Sequence, residues 1–351
     1  MEASFPLASN TNFNKHMHIM KHLQKGIFIT TLLISLIFIG CNNDDDDDDT
    51  LGNWIKKSAF DGPARSSATS FVIGTFAYVT TGYTGDEYLK DLWAYNSEGD
   101  YWEQKADFTG IARSSGSGFE LNGKGYVGLG YDGTNKLKDF YQYTPDTNTW
   151  SQKADFAGTA RYSAVGFQVG GKAFLGTGYD GNYLKDFYQY NDTDNTWTQV
   201  NGFSGNKRRN ATVFVINDIA YLGTGINSGV NQVDFWAFDP NTDVWTRKRD
   251  LDDDEDDHDT YSIARANASS FTINGLGYIA CGSSGNTIWE YNPNTDIWTA
   301  KTSLEGSGRS DAIGITINGE RGFIALGKSG TSYFDDVWEF KPNEEQNDDD
   351  N

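Results

Sequence analysis

Six copies of a unit of about 48 residues, each with one tryptophan and one arginine in register, and apolar segments that run into glycine and alternate with aromatic ones predict an all-β chain folded as a six-bladed β-propeller. The tryptophans fall at Trp54, Trp102, Trp150, Trp197, Trp245 and Trp298, spaced 48, 48, 47, 48 and 53 residues apart. The arginines fall at Arg65, Arg113, Arg161, Arg209, Arg265 and Arg309. Composition agrees, since 39 Gly with 10 Trp, 19 Tyr and 22 Phe suits short strands and tight turns.

Each unit reads as four strands. Strand a follows the arginine and is rich in small residues (Ser114, Ser115, Gly116, Ser117, Gly118), as expected where innermost strands crowd round an axis. Strand b is the apolar run into glycine (Ala173 to Gly178), strand c the Asp-aromatic segment (Asp186 to Tyr190), and strand d begins near the tryptophan. Turns such as Asn292-Pro293-Asn294-Thr295-Asp296 join c to d with residue types that turn geometry demands. The last unit, Arg309 to Phe340, has strands a, b and c but no tryptophan strand, whereas Trp54 to Ser58 is a tryptophan strand with no unit before it. Pairing the Trp54 strand into the last blade closes the ring and removes two open edges. The propeller therefore spans 54–341, with an acidic loop insertion at 250–259 and an acidic tail at 342–351.

These motifs resemble the kelch repeat, whose blades carry a glycine pair after strand b, an aromatic in strand c and a tryptophan in strand d. The resemblance covers Trp54 to Lys341. In three blades the pair is opened to Gly-x-Gly (Gly128 and Gly130, Gly176 and Gly178, Gly223 and Gly225), and blade five starts strand c at Thr287 where the others have Asp.

The N-terminal segment reads as an address. Lys15, Lys21 and Lys25 precede an apolar run from Ile27 to Ile39, then Gly40-Cys41, Asn42, Asn43 and six Asp at 44–49. The run is shorter than the roughly 20 residues of a spanning helix, so 1–40 is expected to be a cleaved signal. Its natural start is expected at Met17 or Met20. Phe38-Ile39-Gly40-Cys41 resembles the lipobox of bacterial lipoproteins, which implies lipidation of Cys41 and a tether over 41–53. The Asp run resembles the export signals of surface lipoproteins in the Bacteroidetes. The implied location is the outer membrane, surface-exposed, with membrane contact only through the lipid.

The formal charge is −21, from 49 acidic and 28 basic side chains. After removal of 1–40, nineteen of the 48 remaining acids lie in the tether, loop and tail runs, which leaves 29 acids against 25 bases elsewhere. The propeller itself is near neutral and shows no basic stripe, so nucleic acid is excluded as a partner. A protein or a carbohydrate is expected, held by a monomeric propeller.

Because strands alternate in direction, the start of strand a and the b–c loop share one end of every blade. That end gathers the six arginines with Tyr131, Asp132, Tyr179, Asp180 and Asn182. The arginine fork suits carboxylates, phosphates and sulfates, so this face is expected to bind an anionic or polar ligand, a glycan or an acidic peptide. One arginine per blade equally suits a structural task, bonding loop carbonyls or the Asp of strand c. Asp and Gly in the Tyr-Asp-Gly turns are likewise accounted for by turn chemistry.

No cofactor is expected. His16, His18 and His22 precede the mature start and His258 sits in the acidic loop, which leaves no imidazole cluster for a copper site of the galactose oxidase type, for catalytic zinc or for a His-dependent triad. The acidic loop is oxygen-rich enough for calcium but lacks the EF-hand spacing. Cys281, at the apolar end of a strand b, reads as a buried inert thiol. Resemblance to kelch mutarotases acting on sialic acid implies an alternative, cofactor-free ring opening with Asp132 or Asp180 as acid or base. No position stands out as both odd in its blade and chemically competent, which ranks catalysis below binding. A third expectation is a structural subunit of a surface complex.

Overall fold

The computed structural model describes residues 50–252, 261–347 and 349. The expected signal at 1–40, Cys41, the Asp run and most of the acidic loop, His258 included, lie outside the described residues. The described strands form six four-stranded antiparallel sheets and two short hairpins. Blade one contains Thr69–Ile73, Phe76–Thr80, Leu92–Asn96 and Tyr101–Lys105, paired in that order. Blades two to five repeat the pattern, and the innermost strands touch in cyclic order, so that Ile313–Ile317 of blade six lies beside Thr69–Ile73 of blade one.

The ring closes as the orphan strands predict. Asn53–Lys57 pairs with Val337–Lys341, with Trp54 opposite Phe340. Trp54 is fully buried, and its Nε1 donates to the Thr302 carbonyl at the end of blade five at 3.2 Å. Arg321 of blade six adds a second tie: it grips the buried Glu339 through two bonds of 2.6 and 2.8 Å and donates to the Ser97 carbonyl of blade one at 2.8 Å.

The core is divided among the six gaps between successive blades. In five blades a strand-a Phe stacks on the strand-b aromatic directly opposite, as Phe71 does on Tyr78 at 5.0 Å and 10°. Gly125 permits the next layer, because a Cβ there would lie 2.1 Å from the Phe71 ring of the preceding blade. The strand-d tryptophans tie blades together as well as filling space: Trp102, Trp150 and Trp197 donate from Nε1 to the carbonyls of Ser58, Ala106 and Ala154, each at the exit of the blade before. Beside them, the left-handed residue of each c–d turn (Asp100, Asn148, Asn195, Asp243, Asp296) accepts a backbone N–H from that same exit.

At the opposite end a buried arginine organises each blade. Arg113 has no exposed surface; its Nε donates to the Ile111 carbonyl, Nη1 to the Leu129 carbonyl at 2.9 Å and to Asp139 at 2.6 Å, and Nη2 to Asp139 at 2.8 Å. Its guanidinium lies over Phe108 at 4.9 Å. Arg65 with Asp91, Arg161 with Asp186 and Arg309 with Asp336 repeat the arrangement. Blade four corrects the sequence register: the buried member is Arg208, paired with Asp234, while Arg209 stands partly exposed. The missing residue in that unit was already present in the 47-residue step from Trp150 to Trp197, matched by the step from Arg161 to Arg208.

Blade five, lacking the Asp, meets the same requirement differently. Among the described residues the partners of Arg265 are the carbonyls of Ser262, Ile263, Cys281 and Thr287, and burial lowers its pKa to about 10. Cys281 is buried, its thiol pushed up to about 11 by desolvation.

Two outcomes follow. Arg208→Ala leaves Asp234 buried without its cation and is expected to cost about 3–5 kcal/mol, whereas Arg209→Ala changes stability by less than about 1 kcal/mol; chemical denaturation of both separates them, and equal losses would reverse the register. A truncation that starts at residue 60 removes the Trp54 strand and is expected to abolish cooperative melting followed by near-UV circular dichroism.

Candidate functional site

The residue two places after each buried arginine lines the propeller axis: Ser67, Ser115, Ser163, Asn210, Asn267 and Asp311. All six adopt positive φ, between 53° and 57°. In that conformation each N–H reaches the carbonyl of its counterpart in the preceding blade, from Ser115 N to Ser67 O at 2.8 Å round to Ser67 N to Asp311 O at 2.8 Å. The six bonds close on themselves as a belt of main chain. A second belt lies outside it: the glycine after each b strand (Gly82, Gly130, Gly178, Gly225, Gly282, Gly327) donates to the carbonyl of the next blade's buried arginine. Inside the inner belt is a cavity of about 130 Å³, floored by Ala68, Ala164, Ala211, Ala268 and Ala312.

The six belt side chains are polar, and one is charged. Asp311 sits 3.7 Å from Lys328 Nζ and 3.2 Å from Ser310 Oγ. Burial raises its pKa, against the lowering influence of Lys328 and the neighbouring hydroxyls. Beside it, Asn267 Oδ1 is buried without a hydrogen-bond partner. Asp311 is the position that sequence reasoning missed: it is odd in its blade, where the others carry Ser or Asn, and it is chemically competent. Counting two residues on from each buried arginine finds it.

Tyrosines wall one side of the mouth. Tyr333, Tyr83, Tyr88, Tyr131, Tyr162, Tyr179 and Tyr183 follow one another with centroids 4.8 to 6.3 Å apart, and all are partly exposed. The turn glycines make the spacing: a Cβ on Gly133 would meet the Tyr88 ring at 2.7 Å, and one on Gly85 the Tyr333 ring at 2.8 Å. Arg209 ends the series, its guanidinium 5.5, 4.9 and 5.8 Å from the rings of Tyr162, Tyr179 and Tyr183, with Nη1 donating to Tyr162 Oη at 2.6 Å.

The sequence-derived candidates thus divide. Arg65, Arg113, Arg161, Arg265 and Arg309 lie within the wall of the fold with their donors engaged, so the expected arginine-lined surface reduces to Arg209. Tyr131 and Tyr179 stand on the tyrosine wall. Asp132 accepts the N–H groups of Asn135 and Thr134, which lower its pKa. Burial opposes ionisation of Asp180, but Asn182 and the Thr159 hydroxyl outweigh it and its pKa is also lowered. Both carboxylates are ionised turn-formers and neither is poised as an acid. Asn182 is exposed and spends its backbone and side-chain donors on Asp180. Among the described residues no three His, Cys, Asp or Glu side chains are grouped to hold a metal ion, and Asp250, at the start of the acidic loop, pairs with Arg247.

No family model and no curated protein matches the chain. Among solved structures it is similar to that of YjhT, with a TM-score of 0.66 and 15% sequence identity over 80% of this chain and 95% of the other. The likeness is one of fold, and it places this chain among the six-bladed β-propellers.

Proposed function

We propose that the protein is a kelch-type binding module that takes a saccharide at the axial mouth. The observation that carries this reading is the juxtaposition of a concavity ringed by six polar belt side chains with seven partly exposed tyrosine rings. Such rings offer apolar faces to the C–H surface of a sugar and hydroxyls to its oxygens. Because the belt spends its own N–H donors, selectivity falls mainly to the six side chains, and the unpartnered Asn267 Oδ1 and the Asp311 carboxylate are acceptors for sugar hydroxyls. The lipobox-like Cys41 and the acidic tether support display on the outer membrane surface.

One observation favours a second reading, a cofactor-free sugar mutarotase. Asp311 holds its proton more tightly than an ordinary carboxyl and lies beside Lys328, a pairing able to accept and return a proton during ring opening. The two readings separate on the anomers of N-acetylneuraminate followed by proton NMR. Acceleration by the wild type that Asp311→Asn abolishes establishes mutarotation; saturable binding of monosaccharides without acceleration establishes the module. Absence of any saccharide binding defeats both.

Asp311 also has a thermodynamic signature. A carboxyl whose pKa is raised on folding destabilises the native state above its folded pKa and contributes nothing below the unfolded value near about 4. Asp311→Asn is therefore expected to melt higher than the wild type at pH 7, with the gap closing as the pH falls towards 4. A gap that is constant with pH would show that Asp311 is not desolvated.

A further inference from the structure

We propose that the tyrosine wall is a track for a linear oligosaccharide bearing a carboxylate, which Arg209 receives at the blade-four end. The proposal rests on the saccharide-binding reading of the mouth and extends it from one sugar unit to a chain.

The first argument is that the wall is not required by the fold. In register, the residue after each b-strand glycine is Tyr83, Tyr131 and Tyr179 in blades one to three but Ile226, Ser283 and Lys328 in blades four to six. Blades four and five complete both main-chain belts without an aromatic there. The remaining rings come from two further positions: Tyr88, Tyr183 and Tyr333 stand opposite that residue on the returning side of the b–c loop, where blades two and four carry Lys136 and Asn231, and Tyr162 follows a buried arginine where other blades carry Ser, Ala or Arg. Three positions of the unit, each aromatic only in some blades, bring their rings onto one arc spanning blades six, one, two and three, and that marks a surface shaped for something outside the chain.

The second argument is that the wall is unspent. Tyr83 and Tyr131 donate their hydroxyls to the carbonyls of Gly85 and Gly133, which fixes those rings. The hydroxyls of Tyr88, Tyr179, Tyr183 and Tyr333 have no hydrogen-bond partner among the described residues. Fixed and free rings meet at tilted and T-shaped angles, so the arc offers ring faces at a spacing comparable to the length of a sugar unit, with hydroxyls interleaved.

The third argument is Arg209. Arg208 already discharges the structural task in blade four, so Arg209 is an additional cation. Among the described residues no carboxylate pairs with it. Its Nη1 is held by Tyr162, its Nε is buried without a partner, and Nη2 is unclaimed. A guanidinium stacked among three rings yet lacking a counter-charge is prepared for an anion. At the far end the track begins at Tyr333, whose hairpin partner Lys328 is paired with Asp311. The cation at that end is paired, whereas Arg209 at the blade-four end faces no carboxylate among the described residues.

The test is a calorimetric titration of the full chain with uronate oligomers of one to five units, drawn from galacturonate, glucuronate and mannuronate series, with their carboxyl-reduced counterparts and with a polyglutamate peptide. Affinity is expected to rise about tenfold or more from one to four units in an acidic series. Arg209→Gln should bring the acidic ligands down to the neutral level while changing neutral binding less than about twofold, and Arg209→Lys should restore part of the preference. The double variant Tyr88→Ala, Tyr131→Ala should remove the dependence on length and leave the single unit bound, and unchanged melting of each variant certifies the fold. Equal affinity for acidic and neutral oligomers, length-independent binding, or preference for the peptide overturns the track. Binding of single sugars alone overturns it while leaving the binding-module reading intact, and failure of every saccharide defeats both.

Discussion

The buried arginine that recurs once per blade is the interaction on which the rest of the molecule depends. A guanidinium removed from water costs several kcal/mol unless its donors are satisfied, and here the satisfaction is repeated almost without change. The carbonyl that receives Nη1 always belongs to a non-glycine residue of positive φ: Thr81, Leu129, Thr177, Thr224, Cys281 and Leu326. For β-branched threonine that conformation is unfavourable by about 1–3 kcal/mol. The arginine bond holds it, and the reversed carbonyl sets the following glycine to donate to the next arginine's main chain. Side chain and backbone of one residue thereby couple two blades, and loss of the fork would loosen the axial mouth along with the blade.

Two of the carboxylates in this ladder, Asp234 and Asp336, show how the balance is struck. Burial disfavours their ionised form, yet the facing arginines and the indole N–H groups of Trp236 and Trp338 outweigh it and keep both pKa values low. Blade five, where Thr287 replaces the acid, retains the geometry by turning Arg265 onto carbonyls. The carbonyl bond to the positive-φ residue is thus the constant of the design and the ion pair its commonest reinforcement.

Much of this was legible in the sequence, because spacing records it. The tryptophan series gave the blade number, and the unpaired ends at Trp54 and Phe340 gave the closure. The arginine pattern points to Arg209 where the fold buries Arg208, because two arginines stand side by side and only the 47-residue step of the tryptophan series tells them apart. The tyrosine wall is only partly visible, through Tyr131 and Tyr179, since Tyr88, Tyr183 and Tyr333 share a position that b–c loops of unequal length obscure, Tyr162 is the one tyrosine after a buried arginine, and the rings meet only after the blades are curled. Asp311 was hidden for a related reason: its distinction is against five counterparts whose shared task, donating to the preceding blade in a left-handed conformation, has no side-chain signature beyond smallness and polarity.

The inner belt has a consequence for how such a mouth can change. Its six N–H groups are all spent within the belt, so no donor of that backbone is left to greet a guest, and the opening is written mainly in six interchangeable letters, at present three serines, two asparagines and one aspartate. Any of these can be re-spelled by a short polar residue that tolerates positive φ without disturbing the loop that carries it. Descent would then proceed one letter at a time on an unchanged frame, and a relative could share every buried arginine with this chain and still present a different lining at its axis.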